Sequence, residues 1–114
     1  MHRNHVYVFD VATADPAALD DLDAVRGALT ALADDAGLHP VGAEAVHRFA
    51  PQGLSLAVLL AESHVAVHTW PELGTAYVTL TTCRRPGSGF VERTRTALAR
   101  AWGGEVVART VADA

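Results

Sequence analysis

Residues 54–72 read LSLAVLLAESHVAVHTWPE, and how this stretch is read decides the fold. Leu54 to Ala61 is apolar on both faces except at Ser55, as expected of a strand flanked on both sides. After Glu62 and Ser63 the pattern alternates through His64, Val65, Ala66, Val67 and His68, so both histidines fall on one face of an extended segment. Trp70, Pro71, Glu72, Leu73 and Gly74 then make a turn. A hydroxyl, two imidazoles, two carboxylates and an indole are thereby held on a rigid apolar support, a common way to build a site.

Working outward, Val41 to Phe49 reads as a weaker strand, closed by the turn residues Ala50, Pro51, Gln52 and Gly53. Thr75 to Cys83 is a further strand, with Tyr77, Thr79, Thr81 and Cys83 on one face and Val78, Leu80 and Thr82 on the other. The β-branched and aromatic run from His5 to Val11 and the segment from Glu105 to Val111 supply the remaining strands. Asp15 and Pro16 begin a helix in which Leu19, Leu22, Val25, Ala28, Leu29 and Leu32 recur at helical spacing as far as Ala36. A second helix spans Phe90 to Trp102 and stops at Gly103 and Gly104. These elements predict one α+β domain over residues 1–114, an antiparallel or mixed sheet of four to five strands with two helices on one face. The other face would stay open and apolar, which predicts a homodimer that covers it.

Composition narrows the function classes. With 114 residues and a net charge of −4, the chain is large enough for its own core and a poor match for a phosphate backbone, so no nucleic-acid partner is expected. No apolar run approaches the roughly 20 residues that span a bilayer, and no membrane partner is expected. The single Cys83 and the absence of a signal-like N-terminal run predict a reducing cytoplasm. All nine basic residues are arginine, so no lysine can attach pyridoxal phosphate.

Three chemistries compete for the central stretch. His64 and His68 with a carboxylate are a candidate metal site, but four residues along a strand separate them by about 13 Å, too far to share an ion, so no metal is expected. Ser63 with a histidine and an acid is a candidate hydrolytic triad, though no GxSxG elbow surrounds it. Cys83, at the end of a strand before a loop, is a candidate for covalent or acid–base work, although a lone cysteine is more often a small buried hydrophobe. Phe49, Trp70 and Tyr77 read as core or turn residues on the same terms, and His2 and His39 as solvated.

The stretch ESHVAVHTWPE resembles the processing site of the prokaryotic S-adenosylmethionine decarboxylases, pyruvoyl enzymes whose signature is ESH, a hydrophobic pair, HT, an aromatic and PE. His47, Arg48 and Phe49, then Pro51 with Gly53, Ser55, and the Thr82 and Cys83 pair fall at that family's spacing, so the resemblance covers nearly the whole chain. It implies self-cleavage between Glu62 and Ser63 into chains 1–62 and 63–114, with Ser63 becoming a covalently bound pyruvoyl group that forms a Schiff base with an amino-acid-type substrate. It also implies that His68 takes the Ser63 α-proton, that Ser55 steadies the processing intermediate, and that Cys83 protonates the product. Phe49 would stack on adenine beside Trp70, and Glu72 would meet the ribose hydroxyls. The departures gather on one strand: where the family commonly reads YAAVDLFTCG, residues 75–84 read TAYVTLTTCR, and the tryptophan of the next loop is missing. Phe49 and Glu72 point to S-adenosylmethionine and a role in supplying the aminopropyl donor for spermidine. The changed strand suits a relative acting on ornithine or arginine, and an inactive nucleoside-binding homologue is the third implied reading.

Overall fold

The computed structural model describes residues 4–113. Six strands, β1 (His5–Ala12), β2 (Ala45–Arg48), β3 (Leu54–Leu60), β4 (Ser63–Trp70), β5 (Thr75–Thr82) and β6 (Glu105–Asp113), form one sheet in the order β2-β3-β4-β5-β1-β6. The sequence predicts four to five strands in an antiparallel or mixed sheet; the sheet has six, and every pairing is antiparallel. The sixth strand is β4. Ala61 and Glu62 make a two-residue turn that folds β4 straight back on β3, from Leu60 opposite Ser63 to Ser55 opposite His68.

Period-two alternation divides the sheet into two faces. His5, Tyr7, Phe9 and Val11 of β1, Ser63, Val65 and Val67 of β4, and Ala76, Val78 and Leu80 of β5 are buried on the face that carries the helices. Ser55, His68, Tyr77, Thr79 and Thr81 lie on the other, which no helix among the described residues covers.

Three helices pack on the covered face, α1 (Pro16–Leu19), α2 (Leu22–Asp35) and α3 (Phe90–Trp102). The single helix predicted from Asp15 to Ala36 is broken at Asp20 and Asp21. The Asp21 carboxylate accepts from the N–H groups of Asp23 and Ala24 at 3.0 and 3.2 Å and starts a new helix, a side chain competing with the helical ladder. The break serves the site, because Asp20 Oδ1 accepts from Gly53 N at 2.8 Å while Arg48 donates to the Asp20 carbonyl at 3.0 Å. Together these bonds tie the β2–β3 turn to the helical layer.

Phe9 is fully buried and meets Phe90 edge-on at 6.4 Å between ring centroids, joining the sheet to α3. Phe9→Ala should therefore lower the unfolding free energy by about 3–5 kcal/mol, read as a shift of the urea midpoint. A change near zero would contradict this picture of the core. Among the described residues, no helix is long and apolar enough to cross a membrane.

Candidate active site

The β3–β4 turn holds the first group of site residues. Glu62 has a φ of 58°, in the left-handed region that non-glycine residues seldom enter, so the peptide before Ser63 is held in a conformation that costs on the order of 1–3 kcal/mol. Ser63 is 8% exposed, on the covered face, and its hydroxyl donates to Thr82 Oγ1 at 3.2 Å. Thr82 in turn donates to the Arg84 carbonyl at 3.1 Å and accepts from Arg84 N at 3.3 Å, which closes the end of β5. Cys83 follows β5 directly, half-buried, with its thiol donating to Glu62 Oε2 at 3.6 Å. A serine, the strained peptide before it and a thiol are therefore gathered at one end of the sheet.

The second group lines a cleft of about 240 Å³ bounded by Phe49, Gln52, Ser55, His68, Trp70 and Glu72. Gly53 makes the cleft wall possible: its φ is 103°, and a Cβ there would lie 3.0 Å from the Thr69 carbonyl oxygen. Phe49 N donates to the Gly53 carbonyl at 2.8 Å, and Leu54 N to Thr69 Oγ1 at 3.0 Å, so the turn sits firmly against β4. Ser55 Oγ and His68 Nδ1 are 2.6 Å apart across the β3–β4 pair. Tyr77 lies 5.1 Å from the His68 ring and stacks on Trp70 at 5.7 Å, making an aromatic shelf of the residue that departs most from the resembled motif. Phe49, Trp70 and Tyr77 are all at least 36% exposed, not core.

The two groups do not meet within one chain. Ser63 and His68 are five residues apart on β4, roughly 16 Å, and point to opposite faces. His64 stands exposed on the open face, four residues from His68. Among the described residues no three or more His, Cys, Asp or Glu side chains are placed to share a metal ion. His39 is exposed, and His2 lies outside the described residues.

Sequence reasoning missed a polar group on the covered face. His5 is 2% exposed, and its Nδ1 lies 2.5 Å from Asp113 Oδ1, while Arg85 donates to Asp113 Oδ2 at 2.9 Å. The His5 hydrogen bond, aided by the Arg85 guanidinium, holds the Asp113 carboxyl below the usual carboxylate range. Burial pushes the neighbouring Tyr7 phenol up, with the Asp113 charge acting in the same direction and Arg85 opposing. The available signal was His5 itself, a polar residue in phase with Tyr7, Phe9 and Val11 on an apolar face.

These features define a two-layer α+β domain with a serine at a strained hairpin turn and an aromatic, carboxylate-lined cleft on its open face. The sequence profile of S-adenosylmethionine decarboxylase matches residues 4–110, and the chain belongs to that family. It is 42% identical over 76 residues to the S-adenosylmethionine decarboxylase proenzyme of Parasynechococcus marenigrum, covering 67% of this chain and 59% of that protein. To the proenzyme of Acidithiobacillus ferrooxidans it is 43% identical over 79 residues, covering 69% and 59%. The matched region thus spans about three fifths of these curated relatives. The crystal structure of the adenosylmethionine decarboxylase of Aquifex aeolicus superposes with a TM-score of 0.79 at 23% identity, covering 98% of this chain and 91% of that one, and shares the fold.

Proposed function

We propose that this chain is the precursor of a pyruvoyl-dependent decarboxylase that splits itself between Glu62 and Ser63 and acts on S-adenosylmethionine. The observation that carries the reading is the β3–β4 turn, where the left-handed Glu62 presents its peptide to a buried serine hydroxyl with Cys83 alongside. Attack of Ser63 Oγ on the Glu62 carbonyl carbon, followed by breakage of the C–N bond, turns the peptide into an ester and relieves the strained turn. Removal of the Ser63 α-proton then expels chain 1–62 as a carboxylate, and hydrolysis of the remaining enamine leaves a carbonyl at the start of chain 63–114. That pyruvoyl carbonyl supplies an electron sink for a substrate amine, the role the missing lysine cannot fill through pyridoxal phosphate.

The chain's own residues divide the rest of the work. Cys83 holds a proton beside the new chain start for the carbon that loses carbon dioxide, a step suited to a thiol kept reduced in the cytoplasm. Phe49 and Trp70 offer aromatic faces to adenine, and Glu72 accepts hydrogen bonds from ribose hydroxyls. Ser55 sets the ring of His68 through their 2.6 Å contact.

Two copies are needed to assemble this site. A cleft of about 240 Å³ is smaller than the roughly 300–1,000 Å³ of a typical ligand pocket, and it lies a strand's length from Ser63. A twofold axis across the strands, with open faces together, brings the cleft of one protomer to the cleaved turn of the other. It also buries Leu59 and Val107, which are 61% and 62% exposed in the single chain.

The test is release of labelled carbon dioxide from carboxyl-labelled S-adenosylmethionine, ornithine and arginine, each incubated separately with cleaved protein. Release from S-adenosylmethionine is expected. Turnover of ornithine or arginine with none of S-adenosylmethionine would overturn the substrate.

A further inference from the structure

The covered face carries a row of side chains that the scheme above leaves unused. Thr82 stands directly opposite His5 in the β1–β5 pair, and His5 directly opposite Asp113 in the β1–β6 pair. With the Ser63 hydroxyl donating to Thr82, the four residues Ser63, Thr82, His5 and Asp113 cross four adjacent strands side by side. Directly opposite side chains have Cβ atoms about 4.5–5.5 Å apart, within reach of a hydroxyl and an imidazole.

The arrangement of β6 depends on one extra residue. Tyr7 pairs with Thr110 and Val6 with Ala112, so Val111 bulges out of register. A single inserted residue reverses the alternation of everything beyond it, and without the bulge Asp113 would point to the open face. Because a carboxylate only accepts, the His5–Asp113 contact puts a hydrogen on Nδ1, and in the neutral imidazole the acceptor lone pair is then on Nε2.

We propose that His5, oriented by Asp113, is the base that draws off the Ser63 hydroxyl proton through Thr82 as Oγ attacks the Glu62 carbonyl. This inference rests on the self-cleavage reading. The Oγ–C bond forms and the carbonyl π pair moves to its oxygen. The Ser63 proton passes to Thr82 Oγ1, whose own proton turns from the Arg84 carbonyl to His5 Nε2. As the tetrahedral adduct collapses, the C–N bond breaks, the nitrogen of Ser63 takes a proton back along the row, and His5 ends neutral beside an ester. The two histidines then serve different steps from different faces: His5 forms the ester, and His68 drives the elimination.

Cleavage of chains pulse-labelled in cell-free translation separates these roles. His5→Gln and Thr82→Val should each slow ester formation by about 100-fold or more, while Thr82→Ser, which keeps the hydroxyl, should cleave at a rate near that of the unaltered chain. Hydroxylamine cuts esters and leaves ordinary amides, so it should release no fragment 1–62 from the stalled His5→Gln or Thr82→Val chains. It should release that fragment from stalled His68→Ala chains.

Thr82→Val keeps the buried shape, so it decides the matter if His5→Gln does not fold. Cleavage of both variants at the unaltered rate, or a hydroxylamine-sensitive ester in either, would overturn the role of His5. An unaltered chain that never cleaves would overturn the self-cleavage reading instead.

Discussion

A Ser63→Ala chain should stay whole and release no carbon dioxide from any substrate, a loss of at least about 10⁴-fold against the cleaved protein. The size of the effect follows from the proposed double use of one side chain, first as the nucleophile that breaks the backbone and then as the source of the electrophile. No substitute stands nearby. The Cys83 thiol contacts the Glu62 side chain at 3.6 Å, but it sits just past the end of β5 and outside the short ring through which Ser63 reaches its own preceding carbonyl. The sequence contains no lysine that could anchor an alternative cofactor. Stability should barely change, because alanine gives up a single neutral hydrogen bond to Thr82, on the order of 1 kcal/mol. Normal melting with absent chemistry is the expected pair of results; decarboxylation by the intact variant would remove Ser63 from its role.

His68→Ala should block cleavage nearly as severely, by about 100-fold or more, and the block should be curable by a second chain. Within one chain His68 is roughly 16 Å from Ser63 and on the opposite face, so it cannot reach the α-proton it is proposed to take. The His68 of a partner subunit can, if open faces pair across a twofold axis. Co-expressing His68→Ala with Ser63→Ala chains in equal amounts should let about half of the His68→Ala chains split, those paired with a chain that keeps its imidazole. No cleavage in the mixture would place the elimination base within the chain and contradict the two-copy site.

The sequence made some of this arrangement legible and hid the rest for physical reasons. The alternation of residues 64–68 identifies β4 and its faces, and the same parity puts Ser63 with Val65 and Val67, opposite His68. A motif lists residues along the chain, however, and gives no sign that these eleven consecutive positions divide into two groups that do not meet within one chain. The aspartates that break the predicted helix are visible as possible caps, but a continuous apolar stripe runs across them, and the bond from Gly53 to Asp20 is a long-range contact that no local pattern shows. His5 and Asp113 are 108 positions apart, and the bulge at Val111 that aligns them leaves no mark in composition or period. Tyr77, conspicuous as a departure from the resembled motif, proves to be part of the aromatic shelf beside His68 and Trp70.

The central claim is that the backbone is cut before Ser63, and the mass of the purified protein under denaturing conditions tests it most directly. Two fragments ending at Glu62 and starting at position 63 are predicted, the second lighter than a serine-led peptide by one ammonia. A single unmodified chain of 114 residues would contradict the account.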